Sequence, residues 1–296
     1  MVNFRDRQQV NRRATVALIL AMFVCFVAAS APIMYLTGSW SGGWLIAVCL
    51  VAAIFPLLSY WFSDVAVLHA TGAQIVNRAE APALHDLVDE VRIAAGLPMP
   101  RVAIINDPSP NALATGRDPE HAAIVLTSGL LDSMTRDEVQ GVVAHEMGHV
   151  ANRDIRVMSI AASIAAVLWA MYSLFAALAT RRNDDGEVQD GGPLAMLLLP
   201  FTPILMTYLN AGMSRRRESL ADATAVQFTR NPAGLRHALE RLQLFDQPPD
   251  QTNTATAHMW FNARTSWRGR LLATHPPLAA RIRRLRDMEG VGGATQ

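Results

Sequence analysis

Four stretches of the chain contain no Asp, Glu, Lys, Arg or His: Ala14 to Leu36, Trp40 to Phe62, Val157 to Thr180 and Gly191 to Ser214. Each is 23 or 24 residues long. A helix rises about 1.5 Å per residue and the bilayer's hydrocarbon core is about 30 Å thick, so roughly twenty apolar residues suffice to cross it. All four are expected to span a membrane, as hairpins over residues 14–62 and 157–214. Pro193, Pro200 and Pro203 predict a kink or a late start in the fourth. The first has a second reading as a cleaved signal peptide, from Arg12, Arg13, the apolar run and the small residues Ala29, Ser30 and Ala31. Pro32, directly after that cut, and the apolar run that follows suit a hairpin better.

Arginines set the orientation. Arg5, Arg7, Arg12 and Arg13 precede the first span, the connection from Thr37 to Ser39 is uncharged, and Arg215, Arg216 and Arg217 follow the fourth span. Positive charge stays cytoplasmic, so the N-terminal residues 1–13 and the polar regions 63–156 and 215–296 are expected on that side, where they can build one site.

The polar regions predict a mostly helical α+β domain. After Pro82, apolar residues recur at helical spacing (Leu84, Leu87, Val88, Val91), and Gly96 with Pro98 ends that helix. Val102 to Ile105, Ala112 to Thr115 and Ala122 to Thr127 read as strands between turn signals, giving a small sheet with an available edge. Thr135 and Glu138 form a capping-box pattern that opens a helix carrying Val139, Val142, Val143 and Val150. Further helices are expected over Ser214 to Phe228, from Pro232 through Phe245, and from Pro276; Asp246 to Gly269 reads as a loop.

Composition agrees with lipid contact: hydrophobic residues make up 51% and charged ones 17%, against about 25% charged in soluble domains. A net charge of +1, with no basic stripe interleaved with aromatics, argues against nucleic-acid binding. Cys25 and Cys49 lie in apolar runs, too few and too badly placed for disulfides or a thiolate metal site.

The chemistry concentrates in His145-Glu146-Met147-Gly148-His149. Residues four apart share a helix face, so both histidines can direct their rings at one ion, while Glu146 lies about 100° around the axis, beside the metal rather than on it. A carboxylate there can take a proton from a zinc-activated water and hand it to a departing amine. Catalytic zinc usually has three protein ligands, and no third histidine follows at the spacing of the metzincin pattern. Glu218 is the best candidate, with Asp222 one turn later to accept a ligand histidine's free N–H. A helix start whose acids offset neighbouring arginines is the alternative for both residues. A zinc-braced chaperone is the rival for the whole chain, but a structural site needs a fourth ligand. A transporter is disfavoured by spans without ionisable groups.

These motifs resemble the HtpX-type membrane metalloproteases, relatives of the CAAX prenyl proteases among the gluzincins. The likeness runs from Pro108, Asn111 and Ala112, through Ala114-Thr115-Gly116 and HEMGH, to Arg217–Asp222 and Thr274-His275-Pro276-Pro277 with Arg281. It implies a gluzincin-like zinc peptidase domain fused to about four transmembrane helices, with one zinc ion per chain on His145, His149 and Glu218, and Asp222 beside them. By the same resemblance His275 and Arg281 support the oxyanion, and Asn111 and Ala112 stand on an edge strand that pairs with an extended substrate. The implied substrates are damaged or unfolded membrane polypeptides, cleaved at the cytoplasmic face of a bacterial inner membrane under stress.

Overall fold

The computed structural model describes residues 42–159, 215–244, 261 and 278–292, with isolated helical positions at 16, 20 and 23. The expected spans 191–214 and, apart from those positions, 14–36 lie outside the described residues, as do His275 and the expected span 157–180 beyond residue 159.

Helix α1 (Gly42–Trp61) covers most of the expected second span; its twenty residues carry no charge. Ile46, Leu50 and Ile54 on it are 49 to 64% exposed. Among the described residues no helix is long and apolar enough to cross a membrane. The chain continues through α2 (Ser63–Thr71), which stops at Gly72 in the left-handed conformation with φ 66°. This short helix was not visible in the hydrophobic pattern.

A four-stranded sheet follows, formed by β1 (Gln74–Ile75), β2 (Arg101–Ile105), β3 (Ala112–Thr115) and β4 (Ala123–Thr127) in the order β1-β2-β4-β3. The central pair β2 and β4 is parallel, while β1 and β3 run antiparallel to their neighbours. Side chains alternate between faces with period two. Val102, Ala112, Ala114, Ile124 and Leu126 join the main core, whereas Ala103, Ile105, Leu113 and Val125 pack with Val67 and Leu68 of α2. The main core also receives Leu84, Leu87, Val88 and Val91 of α3 (Pro82–Ala95), each worth about 1.5–3 kcal/mol when buried. Proline opens that helix, where its missing N–H costs nothing, and left-handed Gly96 closes it.

After the short α4 (Ser128–Ser133) comes α5 (Arg136–Ala151), the metal-site helix. Thr135 and Glu138 form the capping box: the Thr135 side chain accepts from the Glu138 N–H, and the Glu138 carboxylate accepts from the Thr135 N–H at 2.7 Å. The same carboxylate holds Arg241 of α7 (Pro232–Leu244) at 3.1 Å. These two helices approach closely because Gly141 has no side chain: a Cβ there would stand 2.5 Å from the Leu235 nitrogen. Helices α6 (Arg215–Thr229) and α8 (Leu278–Gly292) complete the described domain. Thus α5 is packed against α3, α6 and α7, and its functional face cannot rotate independently.

Candidate metal centre

On α5, His145, Glu146 and His149 are 1, 2 and 3% exposed. Burial of two imidazoles requires partners for both nitrogens of each ring. His145 Nδ1 lies 3.0 Å from Asp222 Oδ1, and His149 Nδ1 lies 3.2 Å from Asp154 Oδ2. Each carboxylate is placed to accept an Nδ1 proton, with Nε2 turned the other way. Both Nε2 atoms face Glu218 of α6, at 3.6 Å from Oε2 for His145 and 3.5 Å from Oε1 for His149.

Those lengths suit ligands of one shared ion better than a close ion pair. A charge-assisted hydrogen bond would close to about 2.7–2.9 Å. Two ligands of a tetrahedral ion with bonds near 2.1 Å instead stand about 3.4 Å apart. His145, His149 and Glu218 are the group among the described residues able to hold an ion, with ligand atoms all within 4.8 Å of one another. The charge balance fits as well. The carboxylates Glu146, Glu218 and Asp222 are buried beside the guanidinium of Arg281, and a divalent cation on the histidines would offset further negative charge there.

Asp222 and Arg281 lock α6 to α8. The guanidinium donates to Asp222 through Nε at 3.0 Å and Nη2 at 2.7 Å, and its Nη1 is 3.4 Å from Glu218 Oε2. Burial raises the Asp222 pKa, but the charge of Arg281 and the contact with His145 outweigh it and hold the carboxyl down to about 2. Burial likewise opposes the charged form of His149, yet Asp154 and Glu218 raise its pKa well above the ordinary histidine value.

The structure thus brings together His145, Glu146, His149, Glu218, Asp222 and Arg281 from three helices. Ala112 opens edge strand β3 and Asn111 directly precedes it, and both are fully buried. The edge expected to be open is therefore covered. Two further neighbours complete the site: Asp154, which the sequence does not single out, and Phe261, which it offers with Trp260 as a lipid or substrate contact but favours as ordinary packing. Asp154 reaches His149 because α5 ends at Ala151 and Arg153 then adopts a left-handed φ of 58°, turning the chain back. Phe261, from a segment read as a loop, places its ring 5.1 Å from that of His145. A carboxylate shortly after the HEMGH helix was a usable signal for Asp154.

Residues 78–289 match the family model described as Peptidase family M48. The chain is 38% identical to a protein named Protease HtpX homolog from Salinibacter ruber, over 95% of this chain and 99% of that one. Proteins of the same name from Syntrophobacter fumaroxidans and Pyrococcus furiosus are 40 and 41% identical, over 90 and 86% of this chain and 97 and 89% of theirs. The crystal structure of S. mikatae Ste24p aligns with a TM-score of 0.48 and 21% identity, over 95% of this chain and 66% of that one.

Proposed function

The chain belongs to peptidase family M48 and is a metalloprotease, and we propose that it hydrolyses peptide bonds with a zinc ion on His145, His149 and Glu218 and with Glu146 as general base. The observation that carries this reading is the pair of Nε2 atoms, each 3.5–3.6 Å from one Glu218 carboxylate, with Glu146 on the helix between the histidines. Three protein ligands suit a catalytic ion, which keeps a position for water, better than a structural one.

Zinc held there supplies Lewis acidity to the attacking water and the scissile carbonyl. Glu146 accepts the proton of that water and returns it to the departing amine. Asp222 and Asp154 keep Nδ1 of the two histidines protonated, so Nε2 of each remains the ligand atom. Arg281 spends two N–H groups on Asp222 and turns a third nitrogen to Glu218, which suits positioning of those carboxylates better than direct support of the oxyanion. His275 then remains the proposed oxyanion donor.

The expected substrates are unfolded or damaged membrane polypeptides, and the expected location is the cytoplasmic face of a bacterial inner membrane, in proteolytic quality control under stress. The four uncharged stretches, the arginine distribution and the likeness to HtpX homologues support this. The test is Glu146→Gln in purified full-length chain, with metal content and cleavage of an unfolded polypeptide measured together. Zinc content should hold while the rate falls about 10²–10⁴-fold; undiminished cleavage refutes the assignment.

A further inference from the structure

The free edge of the sheet already has an occupant. In an antiparallel ladder alternate residues face the partner strand. The Thr127 N–H bonds the Asn111 carbonyl, which turns the backbone groups of Ala112 and Ala114 away from β4, toward the open side. There the Ala112 N–H donates to Asn111 Oδ1 at 3.0 Å, and the Ala112 carbonyl accepts the backbone N–H of Phe261 at 2.8 Å. This last bond is the one an added strand would make.

The Phe261 side chain is seated just as specifically. It is 2% exposed. Its ring meets His145 edge-to-face, with the planes at 71°, and the Arg281 guanidinium lies 5.1 Å from its centroid. An imidazole edge and a guanidinium both favour an aromatic ring over a saturated chain. The carboxylates Glu218 and Asp222, which contact the same His145 and Arg281, disfavour an acidic side chain in that place.

We propose that Phe261 stands where a substrate residue binds: an extended polypeptide pairs with β3 by donating an N–H to the Ala112 carbonyl, displaces Phe261, and puts an aromatic side chain against His145 and Arg281. Resting on the proteolytic reading above, this adds a substrate class and an internal competitor. Phe261 selects for chains that can replace both its hydrogen bond and its ring, and it restrains the site against short polar peptides.

The test uses zinc-loaded full-length protein in micelles and quenched fluorescent peptides that differ at one position, Phe, Gly or Asp. The wild type should cleave the Phe peptide at least about tenfold better than the Asp peptide, and Phe261→Ala should lower KM for the Phe peptide by about tenfold at unchanged zinc content. Independently of any variant, methylating the backbone nitrogen of that Phe in the peptide should abolish its cleavage by the wild type, because the donor to Ala112 is removed. An unchanged or higher KM in zinc-replete Phe261→Ala overturns the proposal. So does equal cleavage of the N-methylated peptide, which keeps the question answerable if the variant folds poorly. If zinc-loaded wild type and Phe261→Ala cleave no peptide at all, the proteolytic reading fails, and this inference with it.

Discussion

Replacing Gly129 with Ala drives a methyl group into the loop that leads to the proposed substrate strand. The added Cβ would stand 1.9 Å from the Pro108 carbonyl oxygen and 2.3 Å from its carbon. Clearing the oxygen to an ordinary contact near 3.4 Å moves it by about 1.5 Å. The loop cannot absorb that movement intact, because it is tied on both sides: Ser109 N–H to Asp107 Oδ1 at 2.8 Å, Thr127 Oγ1 to the Ser109 carbonyl at 2.8 Å, and Gly129 N–H to the Asp107 carbonyl at 2.9 Å. Two such bonds at about 1 kcal/mol each, with the strain of overpacking, destabilise by about 2–4 kcal/mol. Better helix propensity of Ala in α4 returns at most about 1 kcal/mol, so the clash wins. Asn111 and Ala112 follow the displaced residues directly, whereas the three candidate ligands sit on α5 and α6. The variant should therefore melt several degrees lower and show KM raised about tenfold, with zinc affinity within about twofold of wild type. Thermal unfolding in micelles, chelator competition and peptide kinetics measure the three quantities. A melting temperature within about one degree of wild type together with unchanged KM would refute the reasoning.

Two further outcomes follow from buried carboxylates. Asp154→Asn removes the anionic partner of His149 Nδ1 and should weaken zinc binding by about 10–100-fold, while Glu218→Gln, which removes a proposed ligand, should weaken it more; chelator titration giving the two variants wild-type affinity would sink the site. Although burial pushes the Glu138 carboxyl up, the Thr135 N–H and Arg241 hold it below the ordinary value of 4.5. Its stabilisation is therefore complete above that unfolded-chain value and is lost as pH falls through the depressed one. Glu138→Ala should cost about 1–2 kcal/mol at pH 7, chiefly through the cap because Arg241 is 40% exposed, and its deficit should shrink as pH drops below 4.5. A deficit that stays constant into acid would contradict that account.

Local patterns were readable where their cause is local. The amphipathic spacing of Leu84 to Val91, the Thr135 cap and the shared face of His145 and His149 each follow from helix geometry over a few residues. Glu218 and Asp222 could be singled out only as acids one turn apart, because their meeting with the histidines depends on how α5 packs against α6. Asp154 escaped notice because its position turns on the left-handed Arg153, which no residue preference of arginine announces. The edge of β3 was identified from turn signals, but its cover comes from Phe261, about 150 positions along the chain, and a two-residue strand such as β1 leaves no periodic trace.

Arg281 meets Asp222 and His145 across 59 and 136 residues of sequence. A ribosome thus releases the histidines first, the α6 acids later and the guanidinium last of these, so Asp222 is made 59 residues before its counter-charge. Truncation before α8 is expected to weaken the cluster, since it removes the guanidinium that bonds Asp222 and faces Glu218.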